Sequence, residues 1–273
     1  MIPAATAAFD RLAPSYDALV SGEAFLHQRR QTQAVFGRWI RPGVRVLEIG
    51  CGTGLDTEFL ATQGARVIAC DPSEAMLSRA RRRAAAAGVG DRVGLLSCGL
   101  QELPQFLDAL DNAQGFDAIV SNFGALNCVP SLSALGVIGC RHLRPGGVVI
   151  VGLIGRTCLW ETLYFTARGD AANARRRRAP IVAVPVAGVD VPTFYHRTTD
   201  VHACLGEAFR LDAQIGIGVA VPPPYLEPRW QRVPAPLRRA AARIDRAAGS
   251  WPIVNRLGDH TLTCWLKSRV PHA

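Results

Sequence analysis

Residues 44–54, VRVLEIGCGTG, form an apolar stretch that runs directly into a loop with three glycines. The stretch VRVLEIG is typical of a strand buried on both faces, and Glu48 stands near its end. Glycines after such a strand allow a sharp turn into a helix and a close approach of the backbone to a ligand. This pattern predicts the first unit of an α/β domain that binds a nucleotide-like cofactor.

Strand and helix patterns alternate from this unit to residue 155. Apolar stretches at 65–70, 93–98, 116–123 and 148–155 predict four more strands, with helix patterns between them. Continuous apolar strands that alternate with helices favour a parallel sheet covered on both faces. Beyond residue 155 we expect irregular structure over 156–194, then a helix, a strand at 211–221 and a last strand, HTLTCWLK, at 260–267.

Composition excludes several classes of protein. The 273 residues include no run of eighteen apolar residues, so no membrane span is expected, and no secretory signal pattern opens the sequence. The eight cysteines are scattered singly, which argues against a zinc site and favours a reducing cytoplasm. The net charge of +9 comes almost wholly from arginine. It fits a solvated surface, a nucleic acid, an anionic membrane or an acidic substrate.

The glycine loop distinguishes between two kinds of cofactor. Dinucleotide enzymes use G-x-G-x-x-G, but Leu55 stands where the last glycine of that pattern belongs. Glu48 at the entrance of the loop is also poorly placed to face a pyrophosphate. A cofactor with a free ammonium group fits better, because Glu48 can accept from it and the N–H groups of the loop can meet its polar atoms.

At this point the sequence resembles the class I, seven-strand, Rossmann-like methyltransferases that use S-adenosylmethionine. The motifs that carry the resemblance are VLEIGCGTG, ACDPSEAML, FDAIVSNFGALN and LRPGGVVIV. The resemblance covers about residues 9–155, 198–219 and 260–267. It implies an α/β fold with a doubly wound, mostly parallel seven-stranded sheet, an antiparallel last strand, and a cap built from insertions.

The resemblance also implies a set of residues that bind S-adenosylmethionine. Asp71 is expected to accept hydrogen bonds from both ribose hydroxyls, and Tyr16 to bind the methionine carboxylate. Gly99 replaces the acid that binds the adenine amine in the family, so only a backbone contact is expected there. The full set is Tyr16, Glu48, Gly50, Cys51, Gly52, Gly54, Asp71, Pro72, Met76, Gly99, Leu100 and Asn122.

The order of strands places the remaining candidates at one edge of the sheet. Ligands bind beyond the carboxyl ends of parallel strands, and an antiparallel last strand begins at that same edge. His196 and His260 are therefore the candidate general bases, and Phe123, Tyr195 and Tyr225 are the candidate walls of the acceptor pocket. We expect six segments: 1–43 closing over the cofactor, 44–155 as the core, 156–197 and 222–258 as cap insertions, and 198–221 and 259–273 completing the core.

The predicted function is transfer of a methyl group to an oxygen or carbon of a small organic molecule, in secondary or quinone-like metabolism. The stretch SNFGALN lacks the N-P-P-Y signature of enzymes that methylate planar nitrogens, so we expect no stable nucleic-acid partner. The alternatives are an RNA or protein methyltransferase, a non-enzymatic binder of S-adenosylmethionine, and a nucleotide-binding oxidoreductase. No metal is expected. The arginines at 175–178 are expected on a solvated face, where they allow weak contact with an anionic surface.

Overall fold

Seven strands form one mixed sheet, and two more form a separate hairpin. The computed structural model describes residues 3–110 and 115–269, so the end of the predicted C-terminal tail, 270–273, lies outside the described residues. The strands are β1 Arg45–Ile49, β2 Arg66–Cys70, β3 Val93–Leu96, β4 Phe116–Ser121, β5 Leu143–Ile154, β6 Ile181–Val186, β7 Val189–Phe194, β8 Phe209–Ile217 and β9 His260–Lys267. The order in the sheet is β3-β2-β1-β4-β5-β9-β8.

The direction of the strands confirms the predicted fold class. Strands β1 to β5 pair in parallel, and β9 lies antiparallel between β5 and β8. Six strands therefore share one direction and only β9, the last one, opposes them. The carboxyl ends of the six strands and the start of β9 consequently meet at one edge.

Helices cover both faces of this sheet. In the described part of the chain they are α1 Pro3–Leu19, α2 Glu23–Phe36, α3 Leu55–Thr62, α4 Glu74–Ala86, α5 Leu103–Asp108, α6 Ser133–His142, α7 Leu159–Thr166, α8 Ala171–Arg175, α9 Thr198–Leu205, α10 Glu227–Trp230 and α11 Ala235–Ala248. None of them is long and apolar enough to cross a membrane.

Alternate residues of each strand enter two separate hydrophobic cores. Leu47 and Val149 belong to the core that contains α5, α6 and α9, whereas Val46 and Ile150 belong to the core that contains α2, α3 and α4. Because side chains alternate between the faces of a strand, a strand covered on both faces must be apolar throughout. This requirement explains the continuous apolar runs in the sequence.

The expectation of irregular structure over 156–194 is wrong. This segment forms α7, α8 and the hairpin of β6 and β7. The strands were hidden because each contains a proline, Pro185 or Pro192, and proline is tolerated only at edges and bulges of a sheet. In a sheet of only two strands, both strands are edge strands, so each can accommodate a proline. Its turn, Ala187-Gly188, has φ of 47° and 76°, as a two-residue type I′ hairpin loop requires.

The two insertions contact each other and the N-terminal helices. The Trp160 indole of α7 donates to the carbonyl of Ala220 at 2.8 Å, and its ring meets that of Trp230 edge-on at 6.3 Å. On the other side, Val191 of the hairpin packs with Ala5 and Ala8 of α1. The insertions and the N-terminal helices thus surround the edge where the parallel strands end.

Candidate active site

A cavity of about 650 Å³ lies at the carboxyl edge of β1, β2 and β4, beneath α1 and α2. It is lined by Phe9, Tyr16, Arg29, Glu48, Gly50, Cys51, Gly52, Thr53, Leu55, Asp56, Asp71, Met76, Asn122, Phe123, Gly124, Ala125 and Cys128. The structure thus gathers nine of the predicted residues on one wall: Tyr16, Glu48, Gly50, Cys51, Gly52, Asp71, Met76, Asn122 and Phe123.

The glycine loop gives the cavity its floor. Gly52 has φ of 54°, and a Cβ atom added there meets nothing within 4 Å, so a side chain at this position would project into open space. Gly54 has a different role: a Cβ there would lie 2.8 Å from the Cβ of Ala80 on α4. Gly54 therefore allows α4 to pack closely and does not line the cavity.

The N–H groups of this loop are already engaged within the protein. Those of Gly50 and Cys51 donate to the carbonyl of Cys70 at 2.8 and 3.0 Å, and that of Gly52 donates to Asp71 Oδ2 at 3.0 Å. These three donors are therefore not free for a ligand in this structure, because Cys70 and Asp71, at the end of β2, accept from them. The loop supplies room and shape, and the side chains supply the polar contacts.

Glu48 and Asp56 place two acids at one end of the cavity. Thr57 donates to Glu48 Oε2 at 2.6 Å, while the other Glu48 oxygen has no donor among residues 3–110 and 115–269. Burial, together with the charge of Asp56, raises the pKa of Glu48 to about 8. A cation that enters beside Glu48 would therefore be stabilised by the carboxylate and would displace its proton.

Among residues 3–110 and 115–269, Arg29 supplies the only guanidinium that lines the cavity. Its Nη1 pairs with Asp56 Oδ1, its Cζ lies 4.6 Å from the centre of the Phe123 ring, and its buried Nε has no hydrogen-bond partner in the described part of the chain. Asn122 Nδ2 donates to Asp56 Oδ2 at 2.8 Å and so holds the acid from its other side. Helix α2 thus contributes the guanidinium of Arg29, which Asp56 holds in place and whose Nε–H has no partner in the described part of the chain.

Asp71 lies at the end of β2 on the other side of the glycine loop. Its Oδ1 accepts from the N–H of Ser73 at 2.9 Å and its Oδ2 accepts from Gly52. Burial raises the pKa of Asp71 to about 6. The helix α4 is capped by Ser73 itself, which accepts from the N–H of Met76 at 3.2 Å. Asp71 is therefore not the cap of α4, and each of its oxygens accepts one backbone N–H while the residue lines the cavity.

Helix α1 closes the cavity through two acids. Asp17 accepts from Thr53 Oγ1 at 2.6 Å and pairs with Arg83 Nη2 at 2.6 Å, which ties α1 to the glycine loop and to α4. Asp10 accepts from the hydroxyl of Ser73 at 2.5 Å. Tyr16, between these two attachments, is thereby held over the cavity, and burial raises the pKa of its hydroxyl.

Phe123 lines the cavity and contacts His260. Its φ of 46° is rare outside glycine, and such residues persist where the surroundings hold them in place. The ring packs at 4.7 Å from Phe25 and meets the imidazole of His260 edge-on at 5.4 Å. His260 Nδ1 lies 3.3 Å from Oδ2 of the buried Asp259, a charge contact without hydrogen-bond geometry.

The remaining predicted acceptor residues lie outside the cavity wall. His196 Nε2 lies 2.9 Å from the carbonyl of Val129, and its ring faces two outer grooves. Tyr195 is buried near Arg177, and the half-exposed Tyr225 donates to Glu161 at 3.1 Å. The structure brings only His260 of the two candidate bases next to a residue that lines the cavity.

The arginines at 175–178 were expected on a solvated face, and this expectation is wrong for Arg177. This side chain is buried, pairs with Glu161, and donates to Asp259 Oδ1 at 2.8 Å. Although burial opposes ionisation, the charges of His260 and Arg177 hold the pKa of Asp259 below its usual range. Arg177 therefore joins the first insertion to the start of β9.

The adenine side of the predicted site also differs from expectation. The N–H of Gly99 donates to Glu102 Oε2 at 2.7 Å, and Leu100 is buried in a hydrophobic core. The N–H of Gly99, which was expected to contact the adenine, is thus engaged by the side chain of Glu102. Glu102 also places a carboxylate at this edge of the sheet, where Gly99 stands in place of an acid. Pro72 likewise does not line the cavity.

Arg29 and Asp56 are the functional candidates that the sequence reading missed. Asp56 follows the glycine loop by two residues, so an acid in the first turn of α3 was the available signal. The signal for Arg29 was weaker: α2 buries His27, Gln28, Arg29, Gln31 and Thr32, a polar set that no apolar periodicity reveals.

Comparisons with known proteins agree with this geometry. Residues 46–147 match the family described as "Methyltransferase domain". A demethylmenaquinone methyltransferase from Clavibacter sepedonicus is 34% identical over 150 residues, which cover 54% of this chain and 56% of that protein. A ubiquinone biosynthesis O-methyltransferase from Rhizobium johnstonii is 35% identical over 116 residues, 42% of this chain and 43% of that protein.

The chain thus spans about half the length of the curated relatives that it matches. Among solved structures, the CcbJ methyltransferase from Streptomyces caelestis has a TM-score of 0.58 at 16% identity, covering 96% of this chain and 98% of that one. That likeness concerns the fold alone. Residues 46–147 thus match a methyltransferase domain, and the sheet order, with its single antiparallel strand, is that of the fold shared with solved methyltransferases.

Proposed function

We propose that the protein transfers the methyl group of S-adenosylmethionine to an oxygen or carbon of a small organic acceptor. The observation that carries this proposal is the charge balance of the cavity: within the described part of the chain, Glu48, Asp56 and Asp71 line it together with a single guanidinium, that of Arg29. A ligand with a sulfonium, an ammonium and one carboxylate has a net positive charge. Such a ligand complements this surplus of acids, whereas the negative pyrophosphate of a dinucleotide does not.

The residues of the cavity fit the parts of this cofactor. The unpartnered oxygen of Glu48 suits the ammonium, and the unused Nε of Arg29 suits the carboxylate, with Tyr16 beside it. Asp71 suits the ribose hydroxyls, and Glu102 is the acid nearest to the position that lacks one, Gly99. Arg29 thus takes over much of the role that the sequence alone gave to Tyr16.

Bound S-adenosylmethionine supplies a methyl group that is already electrophilic, so the protein has to align the acceptor and exclude water. Phe25 and Phe123 form an apolar wall at the end of β4, where the acceptor would lie. His260, next to Phe123 and in charge contact with Asp259, is our candidate for the group that accepts a proton from a hydroxyl or an acidic carbon. His196 has no such position.

The relatives support a class of acceptor. Two of them are named for demethylmenaquinone and for ubiquinone biosynthesis. We therefore assign quinone-like hydroxylated rings as the first substrates to test.

Calorimetry and product analysis test the proposal. S-adenosylmethionine and its demethylated product are expected to bind, with no measurable binding of NAD, and mass spectrometry is expected to show a mass gain of one methyl group on a short-chain hydroquinone or hydroxyquinone. Binding of NAD in place of S-adenosylmethionine would refute the assignment of the cavity. Cofactor binding without transfer to any acceptor would instead favour a non-enzymatic binder.

A further inference from the structure

Helix α11 presents an exposed surface that the proposed function does not use. Its buried side carries Asp245 and Ala248, and at about 100° per residue the other positions divide into two adjoining sectors. One sector is apolar, with Leu237, Ala240, Ile244 and Ala247. The neighbouring sector is basic, with Arg239, Arg243 and Arg246. The solvent-facing side of α11 is therefore itself amphipathic, which packing against the core does not require.

The apolar sector continues beyond the end of the helix. Leu237 and Ile244 are 60% and 55% exposed, and they are followed by Trp251 and Ile253, which are 59% and 75% exposed. Ile253 has φ of 73°, a conformation that is rare for a β-branched residue. Four large apolar side chains, including an indole, are thus exposed to solvent on α11 and on the segment that directly follows it. We call this surface the α11 ridge.

The basic sector borders a groove of about 730 Å³ between α2 and α11. Its walls carry Arg30, Arg239, Arg243 and Arg246, in addition to Arg238, which pairs with Glu23 at 3.1 Å. No carboxylate in the described ranges lies within salt-bridge distance of Arg239, Arg243 or Arg246. Positive charge is therefore concentrated beside the ridge without local compensation.

A buried carboxylate fixes the orientation of α11. Asp245 Oδ1 accepts from the N–H groups of Val219 and Ala220 at 2.9 and 2.6 Å, and its Oδ2 accepts from that of Val221 at 3.1 Å and lies 3.2 Å from His27 Nε2. These three N–H groups follow β8 at the carboxyl edge of the sheet. The ridge is consequently held outward at the same edge as the cavity, and α11 is not free to turn its apolar side inward.

We propose that the α11 ridge docks on the surface of an anionic lipid bilayer. An interfacial helix combines apolar and aromatic side chains that enter the headgroup region with arginines that meet lipid phosphates. A second copy of this chain is disfavoured as the occupant, because symmetric pairing of the ridge would bring the two rows of arginines together. A nucleic acid would engage the arginines but leave the apolar sector in water.

Docking would have a consequence for catalysis that rests on the proposed function. It places the edge that holds the cavity beside the hydrocarbon layer, from which a lipid-soluble quinone-like acceptor can pass without crossing water. The docking itself does not depend on that activity, so the two proposals can fail separately.

Vesicle flotation with the full chain tests the docking. We expect binding to vesicles of phosphatidylcholine mixed with phosphatidylglycerol and weak binding to phosphatidylcholine alone. Changing Arg239, Arg243 and Arg246 together to glutamine is expected to lower the partition coefficient about a hundredfold, since each arginine near an anionic leaflet contributes roughly a fivefold factor. The double variant Leu237→Ser and Ile244→Ser is expected to lower it about thirtyfold or more.

Two matched controls separate the ridge from general properties of the protein. Changing Arg66, Arg81 and Arg82 to glutamine removes the same net charge elsewhere, and Val137→Ser alters a partly exposed apolar residue of α6. Both are expected to bind vesicles within about twofold of the unaltered protein. An equal loss in the arginine control would show that only net charge matters and would overturn the proposal.

Two further results would also overturn it. One is unchanged vesicle binding by the Leu237→Ser and Ile244→Ser variant. The other is a dimer, seen by sedimentation velocity, that this variant converts to a monomer, because the ridge would then be a contact between copies. Calorimetry with S-adenosylmethionine on the same samples keeps the proposals apart. Vesicle binding without cofactor binding would refute the proposed function alone, and the converse would refute the docking alone.

Discussion

The substitution Glu48→Gln is expected to stabilise the protein and weaken its binding of cofactor. Burial raises the pKa of Glu48 from 4.5 to about 8 in the folded protein. The protonated form therefore stabilises the fold below about pH 4.5, and this contribution is lost as the pH rises towards 8. At about 1.4 kcal/mol per pKa unit, the full loss is on the order of 5 kcal/mol. Glutamine stays neutral and can keep the contact with Thr57.

Urea unfolding between pH 5 and 8, followed by circular dichroism without cofactor, measures this effect. The difference in free energy of unfolding between variant and unaltered protein is expected to grow with pH and to favour the variant by about 2–4 kcal/mol at pH 8. Glu207→Gln, at an exposed position, is the control and is expected to leave the pH profile unchanged.

Calorimetry supplies the other half of the experiment. The affinity of the unaltered protein for S-adenosylmethionine is expected to rise between pH 6 and 8, with release of a proton, because the cation binds the ionised carboxylate. Glu48→Gln is expected to lose this dependence and at least tenfold in affinity. A variant that is less stable at pH 8 and binds the cofactor normally would refute the reasoning, since Glu48 would then be a structural acid.

Three other expectations follow from the site. Asp71→Ala is expected to lower the affinity for S-adenosylmethionine at least tenfold by calorimetry, because two hydrogen bonds to a charged group, of about 1.5–3 kcal/mol each, are lost; unchanged affinity would contradict the assignment. His260→Ala is expected to lower kcat about a hundredfold with cofactor affinity within about twofold, and His196→Ala to leave kcat unchanged; normal turnover by both would mean catalysis by alignment alone. Arg177→Ser is expected to lower the free energy of unfolding by about 3–5 kcal/mol, against about 0.5 kcal/mol or less for the exposed Arg175→Ser; equal effects would refute the buried role.

The sequence predicts the parallel core well because each of its strands is covered on both faces. Val148 to Val151 lie in a continuous apolar run that no other arrangement explains, and the β9 alternation at 260–267 matches the observed strand. The hairpin of β6 and β7 escaped prediction because Pro185 and Pro192 argue against strands that have two covered edges. The hydrophobic periodicity of a sequence does not show whether a strand pairs with a neighbour on one side or on both.

In the candidate site as well, some residues could be predicted from the sequence and others could not. Residues next to the glycine loop, such as Asp71, were found because their position along the chain fixes their position in space. Arg29 was missed because its distance from the cavity depends on how α2 packs over the sheet. Arg177 was misplaced for a related reason. A run of four arginines is usually solvated. The two acids that pair with the buried Arg177, Glu161 and Asp259, lie 16 and 82 positions away in the sequence.

The place of β9 in the sheet has a consequence for how the protein is made. This strand pairs with β5 on one side and β8 on the other, so β8 has no partner in the sheet until β9 arrives. During synthesis, the ribosome must release residues 260–267 before β8 and the segments attached to it can join the parallel strands. The seven-stranded sheet therefore closes only after β9 has left the ribosome, and the open side of β5 is the surface that a chaperone would have to shield until then.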